Sequence, residues 1–379
     1  MRQNLHASRS LGSSRPPSRS KTPVDQTDSI KQSLAADVEK PSLGLGSARK
    51  IGGTAANLPE KKKALRDWFN EFQLFEKCID ASRKEPSEEL PRVNIAVLDT
   101  GVDLTHLNIS YALEDGRIKS TDFLGETPES ITDLDGHGTH CASLLIKFAP
   151  NAEIYVGRVF RRSRAVASSP AVVAKKVDII SMSLGFTQDD DDIRDEIMKA
   201  SASRILIFAA AANNTTNEVT SVRFPARMRE VIGIFSSDGY GRPSNFNPLP
   251  RFDRANFIFP GEKIEGAWPL SMPADGSYVC GDACYRLQDG TSCSTPIAAA
   301  VTAGVLEFAC QEREYVIPKV RLLNYHNGMT DIFRKLMVEG YQEGDNSFLY
   351  VKPWKLISIH QPKEEIPVII SHTLGRIDG

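Results

Sequence analysis

The sequence predicts an α/β protein of three layers, with a mostly parallel central sheet and helices on both faces. Three observations lead there. Short apolar runs rich in Val, Ile and Ala alternate with segments of helical periodicity, the order that lays parallel strands side by side beneath crossover helices. The runs are apolar along most of their length, as strands buried on both faces are. Several stop at a polar or small-residue turn, and open α/β sheets gather their ligands outside the carboxyl ends of such strands.

Length and composition set the bounds. A chain of 379 residues with 41% hydrophobic and 25% charged side chains has ordinary globular proportions and enough length for a sizeable core. The net charge of -2 gives no reason to expect nucleic acid or an anionic membrane as partner. No apolar run stands out as a membrane span of about 20 residues. The six cysteines have no regular spacing, and Cys280 and Cys284 lack a second pair or a clustered His, so reduced cysteines in an intracellular protein are expected. A local Cys280–Cys284 bridge stays open.

Residues 1–58 are rich in Ser, Gly, Pro and Arg and read as a disordered tail. They contain no secretory h-region, which points to a cytoplasmic or otherwise intracellular protein. Their Arg/Ser bias also suits a mitochondrial transit peptide, against which Pro16–Pro17 and the lack of an amphipathic face argue. In 59–84, Leu65, Trp68, Phe69, Phe72, Phe75 and Ile79 recur at three- and four-residue steps, predicting an amphipathic helix that packs on the core. A globular domain follows over 85–358. Strands are expected at 93–98, 152–159, 177–182, 204–210 and 230–235, and helices after Gly136, at 172–176, after Asp192 and after Gly290. Asp189 to Asp192 could suggest calcium, but four acids before Ile193, Ile197 and Met198 read more simply as the capped start of a helix. A further helix is expected at 331–338 and a closing strand or packed segment at 350–357, with 359–379 a C-terminal tail that is an edge extension or loose.

The chemistry-bearing residues fall at element ends. Asp99 follows a strand, His137 opens a helix, and Ser292 sits in a Gly–Thr–Ser turn at the mouth of another, with Pro296 inside the first turn. By itself Ser292 is an ordinary N-cap candidate. With a His as base and an Asp to orient it, the same serine becomes an activated nucleophile beside unpaired helix N–H groups. The chain order Asp, His, Ser is the one known for subtilisin.

Ile95 to Asp103, with His106 beyond it, resembles the Asp motif of the subtilisin-like serine peptidases (subtilases). Asp135–Gly136–His137–Gly138–Thr139–His140 resembles their His motif, and Gly290–Thr291–Ser292–Cys293–Ser294–Thr295–Pro296 their Ser motif. Ile179 to Gly185 is similar to the family's cleft-lining strand, and Ile207 to Asn213 to the strand that delivers the oxyanion Asn. Within the family the chain looks most like the intracellular domains of fungal proteins. The resemblance implies a subtilisin-like fold and a serine endopeptidase acting on protein or peptide. Ser292 would be the nucleophile, His137 the base, Asp99 its orienting acid and Asn213 an oxyanion donor. Ser183, Leu184, Gly185, Ala211 and Ala212 would bind substrate. No cofactor is implied; some subtilases bind calcium, but no site for it can be placed here.

Ala212 and Ser143 stand where the family commonly has Gly, and Phe186 would narrow the cleft; the foldase-like prodomain usual in secreted subtilases has no obvious counterpart in the tail and single helix before residue 85. These departures motivate an alternative, a weak or inactive peptide-binding module. An acyl hydrolase of another fold is disfavoured because Gly-x-Ser-x-Gly is missing. Asn213–Asn214–Thr215 and Asn214–Thr215–Thr216 are glycosylation sequons over the cleft, harmless in the cytosol. His106 and His140 are expected to be structural hydrogen-bonders.

Overall fold

The computed structural model describes residues 58–82, 92–125, 133–161, 177–213, 222–311, 317–342, 344, 347–357 and 365–376. The tail expected before Leu58 and the helix expected at 172–176 lie outside them.

The first element is helix α1 (Leu58–Ser82). Its Trp68, Phe72, Phe75 and Ile79 are each at most 5% exposed, so the apolar stripe read in the sequence is the buried face. Strand β1 (Asn94–Asp99) follows, then helix α2 (Leu107–Glu114), strand β2 (Ile118–Asp122), helix α3 (His137–Phe148) and strand β3 (Glu153–Arg158). Next come β4 (Ile179–Met182), α4 (Asp191–Ala202), β5 (Leu206–Ala210), β6 (Val231–Ser237) and β7 (Asn256–Pro260). Three surface strands, β8 (Ile264–Trp268), β9 (Ser277–Cys280) and β10 (Ala283–Gln288), precede the long helix α5 (Thr291–Gln311). The chain closes with α6 (His326–Ile332), β11 (Phe348–Tyr350) and α7 (Glu365–Gly375).

Eight strands form one sheet in the order β11-β7-β6-β5-β4-β1-β3-β2. Every pair is parallel, with registers such as Ile95 opposite both Ile154 and Ile179. β4, β5, β6 and β7 are buried along their whole length, which explains their continuous apolar runs. β8, β10 and β9 form a separate antiparallel sheet in that order.

Helix α5 lies at the centre of the core. Thr291 to Cys310 is long and apolar enough by composition to cross a membrane, yet 89% of its most apolar window is buried inside the protein. Against the expectation that no run stands out as a span, this one passes the length and hydropathy test, and it does so as a core helix. Its small residues let other elements approach closely. At Gly304 a Cβ would stand 2.8 Å from both Ile79 Cδ1 and Phe75 Cε1, so α1 rests directly on the α5 backbone.

The C-terminal part differs from expectation. The helix expected at 331–338 starts earlier, at His326, and Phe333–Met337 continues it as a wider π-type turn. The segment assigned to a tail holds α7, whose Ile366, Ile370 and Leu374 are at most 2% exposed. Spacing of four places all three on one helical face, so this segment joins the core. The acidic run at 189–192 behaves as a helix start: Asp190 is the N-cap of α4, its Oδ1 accepting from Ile193 N at 3.0 Å. All six cysteines are free, so Cys280 and Cys284 are not bridged.

Candidate active site

The site forms at the carboxyl ends of β1, β4 and β5. β1 ends at Asp99, and the turn after it is crossed by the start of α3. Gly138 makes that crossing feasible, since a Cβ there would lie 2.2 Å from the Gly101 carbonyl oxygen. His137, the first residue of α3, is thereby held over the strand end. Its Nδ1 donates to Asp99 Oδ1 at 2.7 Å. Asp99 is 3% exposed, and the same oxygen accepts from Thr100 N at 2.8 Å.

The turn that carries His137 is fastened by a buried carboxylate the sequence reading passed over. Asp133 Oδ1 accepts from Thr100 Oγ1 at 2.8 Å, Asp135 N at 3.0 Å and Gly136 N at 2.9 Å. Its Oδ2 accepts from both the N–H and the hydroxyl of Thr139 at 2.8 Å. Thr100 Oγ1 in turn accepts from Gly138 N at 2.9 Å. Asp133 therefore serves the first turn of α3 in place of a side-chain cap, because Gly136 at the N-cap has none to offer. Gly136 must itself be glycine: its φ is +92°, and a Cβ would strike the Trp268 ring at 2.4 Å.

Ser292 lies half-buried in the first turn of α5. Its carbonyl accepts from Ser183 Oγ at 2.9 Å, and its own hydroxyl donates to the Ser183 carbonyl at 3.5 Å. Cys141, one turn along α3 from His137, has its Sγ 3.9 Å from His137 Nδ1 and 3.7 Å from the Ser292 carbonyl oxygen. Asn213 follows β5. Its Oδ1 accepts from Thr291 N at 2.8 Å and Thr291 Oγ1 at 3.0 Å. Two donors on Thr291 require the oxygen to face them, which assigns the amide and turns its NH₂ group away. A Cβ at Gly290 would come within 3.0 Å of that nitrogen.

The other expected residues follow two neighbouring strands. Ser183, Leu184 and Gly185 follow β4, and Ala211 and Ala212 follow β5; the two strands are neighbours, so both segments leave the sheet side by side. Gly185 is exposed and Leu184 half-buried. Ala212 has φ +152°, a conformation in which a Cβ is strained and Gly is not. Ser143 has a job that glycine could not do: its Oγ donates to His140 O at 2.8 Å and accepts from Ala267 N at 2.9 Å, tying α3 to β8. Phe186 pairs with Phe224 through two backbone hydrogen bonds of 2.7 and 3.0 Å.

Burial opposes a charge on His137, but the Asp99 carboxylate outweighs it and holds the pKa well above the ordinary histidine value. Burial pushes the Cys141 thiol up, so it stays protonated. Asp99, His137 and Cys141 are the described residues that offer three metal-ligating atoms within 4.8 Å of one another. A protonated thiol and a ring nitrogen already bonded to Asp99 make a poor donor set. Among the outlying histidines, burial takes His140 down to about 4. His106 caps α2 through Nδ1 and donates from Nε2 to Cys284 O at 2.8 Å.

Sequence reasoning missed Asp133, Thr100, Thr291 and the Ser183 hydroxyl as supports. An acid four residues before a helix-opening His is a capping signal that could have marked Asp133; Thr291 carried no such signal.

A model of the subtilase family (Peptidase S8) matches residues 91–320, well over half the chain. The chain belongs to the subtilase family. Accordingly it is a serine-type peptidase. An intracellular serine protease of Paenibacillus polymyxa is 29% identical over 234 residues, covering 57% of this chain and 67% of that protein. The subtilisin-like protease het-Q2 of Podospora anserina is 30% identical over 281 residues, covering 61% and 74%. Among solved structures, a mutant of the protease domain of PatA superposes with TM-score 0.53 at 20% identity, covering 71% of this chain and 96% of that one, a likeness of fold.

Proposed function

We propose that this subtilase is an endopeptidase working through Asp99, His137 and Ser292, with Asn213 and the Ser292 N–H as oxyanion donors. The observation that carries the reading is the 2.7 Å Asp99–His137 bond beside a serine at a helix mouth. His137 Nδ1–H bonded to Asp99 leaves Nε2 with its lone pair, the tautomer a base needs. As Ser292 Oγ attacks the scissile carbonyl, its proton passes to His137, and Asp99 stabilises the imidazolium. The first-turn N–H of Ser292 has no intrahelical acceptor, so it is available to the developing oxyanion. Asn213 adds its amide N–H, held ready by Thr291. His137 then returns the proton to the leaving amine, and water repeats the cycle on the acyl enzyme. No cofactor is required. An extended protein or peptide substrate would lie along Ser183–Leu184–Gly185 and the Ala211–Ala212 segment as an added strand.

α1 touches α5 at Gly304, about 18 Å along the helix from Ser292 at 1.5 Å per residue. It is a structural part of the core, and no inhibitory role is assigned to it. The relative from Paenibacillus polymyxa, named an intracellular serine protease, supports an intracellular site of action.

One observation favours a second reading, a module that binds peptides without turning them over. Ser292 Oγ points to the Ser183 carbonyl, so catalysis requires it to rotate toward His137. Catalytic bonds of this kind often tighten only when substrate arrives. A fluorophosphonate probe decides: labelling that is lost in Ser292→Ala and suppressed in His137→Ala supports the peptidase. A folded wild type that binds peptides but neither labels nor cleaves them favours the second reading.

A further inference from the structure

A cavity of about 350 Å³ opens at the amino ends of β6 and β7, against the first turn of α6. The sheet is parallel, and Asp99, Ser183 and Asn213 follow the carboxyl ends of their strands, so this cavity faces the opposite edge of the sheet. Its volume lies within the range of small-molecule sites. Nothing in the proposed peptidase chemistry uses it.

Its lining is unusual in charge. Arg229, Arg254, Arg334 and His326 face a single carboxylate, Asp253. That carboxylate is already engaged, since Arg251 grips both of its oxygens at 2.8 Å and Arg254 reaches it at 3.4 Å. Arg334 shares its partner Asp331 with Lys335. Arg229 makes no ion pair among the described residues. The Nε atoms of Arg254 and Arg334 are both buried without an acceptor. The positive field acts on the lining itself. Burial lowers the pKa of His326 against its hydrogen bond to Asn327; the Arg254 and Arg334 charges push the same way as burial, and Glu230 opposes them.

A guanidinium presents a planar fork of donors that fits the oxygens of a phosphate two at a time. Three forks line this cavity beside one carboxylate, Asp253, although Arg334 is also paired with Asp331 and Arg254 donates from Nη1 to the Met228 carbonyl. We propose that this cavity binds a small phosphate-bearing anion, with Arg229, Arg254 and Arg334 as its direct contacts. The proposal stands independently of the peptidase reading, and Ser292 takes no part in it.

Isothermal titration of the full chain tests it, with sodium pyrophosphate, glycerol 3-phosphate and citrate as separate probes. Saturable one-site binding of pyrophosphate or glycerol 3-phosphate is expected, and which binds tighter separates a polyphosphate from a phosphate ester. Ser292→Ala should bind as wild type does. Arg229→Gln, at an exposed residue without an ion pair, should keep the wild-type melting temperature and weaken binding at least tenfold. Arg254→Gln should abolish it if it folds. Three results would overturn the proposal: no saturable heat from either phosphate probe, citrate binding as tightly as both, or undiminished affinity in Arg229→Gln.

Discussion

Replacing Gly138 by Ala tests whether the approach of α3 to the β1 turn sets the geometry of the site. The added Cβ would lie 2.2 Å from Gly101 O, 3.0 Å from Gly101 N and 3.1 Å from Thr100 N. All three are backbone atoms, so no side chain can swing aside. The shortest contact falls about 1.2 Å inside ordinary van der Waals distance, which begins at 3.4 Å. Relief requires the first turn of α3 to move by about that amount, and His137 moves with it while Asp99 stays on its strand. Misplacing a catalytic group by roughly 1 Å costs about 10²-fold in rate. Overpacking a tight interior costs about 1–3 kcal/mol in stability. Peptide hydrolysis by Gly138→Ala should therefore fall about 10²-fold, with a lowered melting temperature and a loss mainly in kcat. A variant that melts with wild type and turns over within about threefold of it would refute the reasoning.

Other expectations follow from the same contacts. His137 must be neutral to act as a base, and Asp99 holds its pKa above the ordinary 6.5, so the acid limb of kcat/KM should lie above pH 6.5. In Asp99→Asn that limb should move down and kcat should drop by about 10⁴, as for loss of the orienting acid elsewhere. Glu76 on α1 is raised to about 7 by burial first and by Asp80 second, with Lys147 opposing. A carboxyl raised in the folded state favours folding below its unfolded pKa and loses that contribution as pH rises through the folded one. The melting temperature should thus fall between about pH 4.5 and 7 from this group, and Glu76→Gln should flatten the fall. Ser143→Ala leaves the Ala267 N–H without its acceptor and should cost about 1–3 kcal/mol by denaturant titration, while Ser143→Gly should be no better.

How much of this was legible in the sequence depends on burial. β4, β5 and β6 could be read because strands buried on both faces are apolar at most positions. β2 could not, because of its five residues Ile118 to Asp122 only Ile118 is fully buried. α2 escaped notice for a similar reason, with Leu107, Tyr111 and Leu113 all exposed. β9 lies almost wholly in solvent, and its partners β8 and β10 take their order from a fold-back that no local pattern encodes. α7 was within reach: Ile366, Ile370 and Leu374 repeat every four residues, but Pro367 in its first turn reads as a breaker when it is in fact tolerated there. At the site, Asp99, His137 and Ser292 stand at turns with distinctive small residues. Their supports do not. Asp133 finds Thr100 across 33 residues and Thr291 finds Asn213 across 78, and such pairings are visible only once the chain is folded.

The position of α5 and β11 late in the chain bears on biosynthesis. Asp99 and His137 leave the ribosome long before Ser292, and the sheet edge at β7 stays uncovered until Phe348–Tyr350 arrives to pair with it. The turn before Ser292 hangs on that region, since Gly290 N donates to Gly261 O at 2.8 Å just beyond β7. A growing chain therefore has Asp99 and His137 in place well before Ser292 is made. The same order carries a hazard, because a chain halted before residue 348 presents β7 as a bare, largely apolar edge open to pairing with another copy.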